Sequence, residues 1–186
     1  MARPIEYDLE KVLDNAMELF WNKGYENVSM ADLVSHTGLN SRTMYLLFKD
    51  KNGLYKDTLD HYRSKRASYV IKVLKNNAGK KGIEKFLKIF TFGNDFKGCL
   101  FTNCMIAKDR MSNATLAIPS LHFSNLQIQI ELNLKEASLQ GEFTGDIKVM
   151  ALTIITCIHG LNVHGKYNHS KEEAINIIEN ILTMIR

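Results

Sequence analysis

Ser29-Met-Ala-Asp-Leu-Val-Ser-His-Thr-Gly38-Leu-Asn40-Ser-Arg-Thr-Met-Tyr-Leu-Leu-Phe48-Lys-Asp-Lys51 carries two short amphipathic segments on either side of one glycine. Ser29 is placed to N-cap a helix whose apolar residues Met30, Leu33 and Val34 fall at i, i+3 and i+4, and Gly38 supplies the positive φ that reverses the chain. From Asn40 to Phe48 the residues Met44, Leu47 and Phe48 make a second apolar stripe. Ser41, Arg42, Thr43 and Tyr45 then face elsewhere, with donors suited to phosphates and base edges. The spacing is that of a helix-turn-helix and implies duplex DNA as the partner.

Two short helices joined by glycine also occur in all-α proteins that touch no DNA, where Arg42 and Lys49 are simply solvated. The flanks shift the balance. Leu9, Val12, Leu13, Ala16, Leu19 and Phe20 form a preceding helix of matching period, closed by Lys23-Gly24-Tyr25, and Asp50 caps a following helix that opens at Lys51. The run from Asp8 to Tyr62 resembles the DNA-binding domain of the TetR family of bacterial repressors, on Gly24, Tyr25, Ser29, Gly38, Tyr45, Phe48, Lys51 and Leu54 at the family's spacing. The resemblance implies an all-α protein with an N-terminal three-helix helix-turn-helix domain over residues 1–50 and a C-terminal helical ligand-binding and dimerisation domain over residues 51–186. Such a protein acts as a homodimeric repressor on a palindromic operator and is released by a small-molecule effector. Asn40, Ser41, Arg42 and Thr43 are the expected base-reading end of the second helix; Ser29, Tyr45, Lys49 and Lys51 are expected on phosphates, and Arg3 in the minor groove.

The 186 residues are 45% apolar, enough for a sizeable core, and only two are proline. Long stretches of helical period without strand-and-turn patterning agree with the all-α expectation. No run reads as about 18 uncharged apolar residues and the N-terminus lacks a signal-peptide core, so a cytoplasmic protein without membrane contact is expected. Three cysteines give no disulfide framework. The net charge of +4 is mildly basic. From His36 to Arg66 the bases Arg42, Lys49, Lys51, Lys56, Arg63, Lys65 and Arg66 outnumber Asp50, Asp57 and Asp60, which places a basic excess on the expected DNA face. A second cluster, Lys72, Lys75, Lys80, Lys81, Lys85 and Lys88, reads as a solvated helix pair with a Lys-rich loop.

One long helix is expected from Asp50 to about Asn76. Others follow near Gly82–Phe92, Leu100–Met111, Leu116–Leu139, Asp146–Val163 and Lys171–Ile185. Leu126 to Leu134 alternates with period two, as a half-buried strand would. Helix is still expected, because Leu126, Ile130, Leu134 and Ala137 also make an i, i+4 row and a lone strand would leave its backbone unpaired.

Lys97-Gly98-Cys99-Leu100 opens a helix with a thiol, where helix amides and a lysine favour the reactive thiolate; the alternative is a small buried hydrophobe. Gly98, Cys99, Leu100 and Asn103 resemble a motif of the NemR-like subgroup, which implies that Cys99 senses electrophiles or oxidants. A reversible apolar effector is the other reading, with Phe86, Ile89, Phe90, Phe92 and Phe101 as pocket candidates. Cys104, five residues on, is too distant along a helix for an unstrained disulfide to Cys99. Cys157, His159, His164 and His169 have poor spacing for a metal, so no metal or cofactor is expected. Enzyme motifs are lacking; a thiol peroxidase built on Cys99 is the one catalytic alternative. The family resemblance assigns the last two helices to a four-helix dimer bundle, for which Leu152, Ile155, Ile158, Leu161, Ile177, Ile178, Ile181 and Leu182 supply apolar surface.

Overall fold

The computed structural model describes residues 7–91, 96–167 and 170–186, and these hold ten α-helices and no strand. They are α1 Leu9–Lys23, α2 Met30–Thr37, α3 Ser41–Phe48, α4 Lys51–Tyr62, α5 Ser68–Lys75, α6 Gly79–Leu87, α7 Leu100–Ile106, α8 Asn113–Leu139, α9 Ile147–His164 and α10 Lys171–Thr183. Two compact units result, one from Met1–Lys65 with Asn103–Pro119, the other from Arg66–Thr102 with Ser120–Arg186. Compactness divides the chain after residue 65. The first unit thus includes a segment from the second half of the sequence.

In the first unit α1 packs on α2 and α4, and α3 sits between α2 and α4. Val12, Ala16, Phe20, Leu33, Met44, Leu54 and Leu59 are buried. Phe20, Tyr25 and Tyr55 meet ring to ring, with Phe20 edge-on to Tyr55 at 4.8 Å and Tyr25 tilted on Tyr55 at 4.9 Å. Leu9 and Leu47, expected on apolar stripes, are exposed. Leu9 is the first residue of α1, ahead of its buried face, and Met44 with Phe48 already fills the one buried row of α3.

The long helix expected from Asp50 to Asn76 is a continuous helical run with a π-helical turn at Arg63–Ala67 between α4 and α5. The extra residue moves burial from Tyr62 to Ala67, five positions on, and turns Tyr69 outward. α8 is helical throughout. Leu126, Ile130, Leu134 and Ala137 are buried, while Ile128 and Leu132 are about half exposed, so burial follows the i, i+4 row and not the alternation. α8 starts three residues earlier than expected because Ser112 caps it, its Oγ accepting the Thr115 N–H at 3.1 Å. Pro119 lies inside it.

The core of the second unit gathers Leu74, Phe86, Ile130, Ile154, Ile158 and Ile178 among others. Ile158, Ile178 and Ile181, expected as dimer surface, are therefore interior residues of one subunit. The apolar side chains left outside on the last two helices are Val149, Leu152, Val163, Ile177 and Met184, with Ile155 half-buried. A helix with more than one apolar row must turn one inward, and sequence alone does not say which. α9 carries one lysine, Lys148, and is by length and composition alone apolar enough to cross a membrane. Met150, Ala151, Ile154 and Ile158 tie it into the core of the unit.

Candidate nucleic-acid interface

The helix-turn-helix is built by its caps. Ser29 and Asp32 form a capping box at the start of α2, Ser29 Oγ accepting the Asp32 N–H at 3.1 Å and Asp32 accepting the Ser29 N–H at 2.9 Å. The Ser29 hydroxyl, which donates to the Asp32 carboxylate, and then the Ser29 N–H hold that carboxyl below its ordinary pKa. Gly38 ends α2 at φ 75°, ψ 2°, a left-handed conformation that favours glycine. Asn40 then caps α3, its Oδ1 accepting the Thr43 N–H at 2.9 Å. Thus Ser29 and Asn40 each commit a side-chain oxygen to a helix start, worth about 1 kcal/mol apiece, and Asn40 keeps both its amide donors for a ligand.

Met44 and Phe48 anchor α3 inward. That leaves Ser41, Arg42, Tyr45 and Leu46 exposed, followed by exposed Lys49 at the C-cap, with Thr43 half-buried. Arg42, Leu46 and Lys49 fall at i, i+4 and i+7 and share one ridge, with Ser41 and Tyr45 on the adjoining one. Leu46 is 75% exposed, the most exposed large apolar side chain on this helix. Leu46 is not among the polar donors expected to meet DNA. The signal was available, since a residue two positions from both Met44 and Phe48 points away from the side they bury.

Lys51, expected on a phosphate, is otherwise engaged. Its Nζ donates to the carbonyls of Tyr25 at 3.0 Å and Val28 at 2.9 Å, and lies 4.3 Å from the centre of the Tyr25 ring. It closes the α1–α2 turn from within, because a short turn leaves carbonyls without helical partners and a nearby ammonium satisfies two at once. The bases of α4 and of the π-helical turn after it are likewise turned on the head's own acids. Lys56 pairs with Asp57 and Asp60, Arg63 with Asp60, and Lys65 with Glu10. Arg42 and Lys49 carry the positive charge of the α3 ridge itself. Arg3 lies outside the described residues.

The α3–α4 corner is unusual. Lys49 has φ 67° and ψ −55°, and the Asp50 N–H donates to the Phe48 carbonyl at 2.8 Å, which makes a γ-turn of the strained hand. Asp50 caps α4 through the Gly53 N–H at 2.8 Å. A Cβ on Gly53 would stand 2.0 Å from the Phe48 carbonyl oxygen, so only glycine fits.

The expected effector residues do not gather into one site. Phe86 is wholly buried core, edge-on to Phe90 at 5.3 Å. Cys99 and Asn103 are half-buried, and Phe92 lies outside the described residues. Gly98 has φ 72°, and a Cβ there would come 2.7 Å from the Asn162 carbonyl oxygen, so the Gly-Cys pair has a packing reason of its own. Cys104 is fully buried, its thiol pushed up to about 11 by burial. Beside Phe101 lies a cluster the sequence did not reveal: His122 at 4.9 Å, Phe123 at 6.3 Å, and His159, 4.7 Å from Phe123 and bonded through Nδ1 to Thr102 Oγ1 at 3.2 Å. Burial holds the His159 pKa below the usual histidine value. His164 meets the Tyr167 hydroxyl at 2.8 Å, and His169 lies outside the described residues. Among the described residues no group of three or more His, Cys, Asp or Glu side chains is placed to hold a metal ion.

Comparison with known proteins agrees with this geometry. The model for bacterial regulatory proteins of the tetR family matches residues 12–58, which span α1 to α4. The chain is 28% identical to the HTH-type transcriptional repressor ComR of Escherichia coli, over 95% of this chain and 88% of ComR. In fold it is similar to a cysteine-substituted CifR solved on a 26-base-pair operator, with a TM-score of 0.82 at 24% identity over 97% of this chain and 98% of that one. It is also similar to reduced E. coli NemR, at 0.81 and 14% over 95% and 96%. A family model on the capped helices, and a curated repressor similar along nearly the whole length, identify α1 to α4 as a DNA-binding head of the tetR-family type.

Proposed function

We propose that this regulator is a repressor whose homodimer lays α3 in successive major grooves of a palindromic operator. The observation that carries the reading is the exposed ridge of Arg42, Leu46 and Lys49 beside Ser41 and Tyr45, on a helix anchored from behind by Met44 and Phe48. Ser41 and Arg42 read base edges, and the Leu46 side chain packs on a thymine methyl, the apolar feature of the major groove. Tyr45, Lys49 and the Asn40 amide hold phosphates. Thr43, with its amide capped and its side chain half-buried, stands at the margin of the contact, and Ser29 approaches the backbone from the start of α2. The dimer forms through Val149, Leu152, Val163, Ile177 and Met184, an apolar set too extended to leave in water.

A small molecule acting on the second unit shifts the dimer away from the spacing that fits two half-sites. Cys99 is the proposed point of attack for an electrophile, the thiol sulfur forming the new bond and releasing its proton. The alternative is a reversible ligand at the Phe101, His122, Phe123 and His159 cluster, favoured by the two histidines among aromatic rings. The DNA reading is tested by selecting duplexes from a random-sequence library and titrating Arg42→Ala. A loss of about 1–3 kcal/mol on the selected site, with little loss on other DNA, supports it. Equal affinity for all duplexes overturns it. Treatment with a quinone then separates the effector readings, since Cys99→Ser stays on DNA only if the thiol is the trigger.

A further inference from the structure

We propose that Asn52 is a positioning residue for operator binding, latching the strained α3–α4 corner to the Arg110–Thr115 segment that the second half of the chain contributes to the reading head. The inference rests on the operator-binding reading and concerns residues outside the base-reading ridge.

Asn52 is the second residue of α4, three positions beyond the Lys49 γ-turn. Its amide is used from both ends. Nδ2 donates to the Arg110 carbonyl at 3.3 Å, and Oδ1 accepts from Thr115 Oγ1 at 2.6 Å and Ser112 Oγ at 3.2 Å. The two hydroxyls are themselves 2.8 Å apart, and Ser112 caps α8 through the Thr115 N–H. Thr115 is fully buried. Asn52 also hydrogen-bonds the Tyr25 side chain, and Arg110 faces Glu26 at 3.5 Å in an exposed pair. All of these groups belong to one compact unit. The first turn of α4 is thus held by a four-residue polar knot, while the other side of the corner is held by Asp50 and by the close approach of Gly53 to Phe48.

A non-glycine residue with positive φ persists only where its surroundings over-determine it, and here they are this knot together with the Asp50 cap and the Gly53–Phe48 approach. Its effect on DNA binding follows from ordering. A recognition helix already held in its bound orientation loses less freedom on entering the groove, so releasing the corner lowers operator affinity. Non-specific binding through phosphates tolerates many orientations and falls less. Asn52 thereby acts through the orientation of α3 without touching a base.

The test uses the full-length chain, an operator duplex selected by the wild type from a random-sequence library, and a non-operator duplex of equal length. Asn52→Leu and Thr115→Val each weaken operator binding about tenfold while non-operator affinity stays within about twofold, and the double variant binds no worse than the weaker single, as parts of one latch must. Asn52→Asp, which keeps the acceptor for both hydroxyls and loses the donor to Arg110, recovers part of the loss. Circular dichroism identifies which variants fold. If Asn52→Leu does not, Thr115→Val and Ser112→Ala carry the same comparison. Folded variants with wild-type operator affinity overturn the latch, as does equal loss on both duplexes, or a double variant whose loss is the product of the singles. Failure of the wild type to select any sequence overturns the operator reading itself, and the latch with it.

Discussion

In the reading head most polar side chains near the candidate DNA surface have structural employment, whereas the interior of the second unit is closed mainly by aliphatic side chains. Ser29 and Asn40 cap helices, Lys51 ties a turn, Asn52 knots a corner, and Lys56, Arg63 and Lys65 face acids. What remains outside is a short ridge on α3. In the second unit Leu74, Ile83, Leu87, Ile130, Ile154 and Ile178 have near-equivalent roles, and the exceptions are few buried polar groups such as Asn133, whose Nδ2 reaches the Leu74 carbonyl at 3.1 Å. Specific polar bonding makes function readable by elimination. An aliphatic core reports volume, and many sequences supply the same volume.

The sharpest way to break this contrast is to place a charge on each side of the same helix pair. Ile178→Asp buries an unpaired carboxylate and should abolish folding, whereas Leu152→Asp, at a position 51% exposed, should leave the helical content intact and yield a monomer that loses operator binding. Sedimentation with circular dichroism reads both. A folded Ile178→Asp dimer would mean that the core boundary is misplaced.

Next in size is Lys51→Met. Two hydrogen bonds from a charged donor are lost, so stability should fall by about 1.5–3 kcal/mol in denaturant titration, while the salt dependence of DNA binding stays as in the wild type. A phosphate contact would show the reverse, an unchanged midpoint and a salt slope reduced by about one.

Smaller again is the ridge apolar contact. Leu46→Ala should weaken the operator by about 1 kcal/mol, and replacing the matching thymine by deoxyuridine should cost the wild type a similar amount and the variant nothing further. Additive losses would separate Leu46 from the methyl.

The smallest effect is on pH. Because burial lowers the folded-state pKa of His159, its neutral form is favoured on folding, so the stability it contributes is complete above about pH 6.5 and declines as pH falls toward the folded value. Thermal melts of His159→Gln should lose part of that decline. An identical acid profile would assign it to other groups.

Most helix starts were legible because period and caps are local, although α6 begins at Gly79 and not Gly82, and α7 ends at Ile106 and not Met111. Asp8, Ser29, Asn40, Asp50, Asp146 and Ser170 each stand one residue before a helix and accept from its first amides. The Leu126 to Leu134 passage was ambiguous in period but not in burial, since only one of its two rows faces the core. The roles of the lysines were not legible. A lysine reads alike in sequence whether its ammonium meets a phosphate, a carbonyl or a carboxylate, and Lys51, Lys49 and Lys65 differ only in what the fold brings beside them.

By itself the sequence determined that the chain is helical, where its turns lie, and that Ser29 to Lys51 forms a helix-turn-helix, because hydrophobic spacing, capping oxygens and left-handed glycines act over a few residues. Tertiary structure decided which apolar rows of α9 and α10 are buried, that Lys51 and Asn52 serve the head from within, and that Arg110 to Thr115 completes it. Those outcomes depend on contacts between residues more than twenty positions apart, and pairing at that range is fixed by the packing of whole helices and not by local preference.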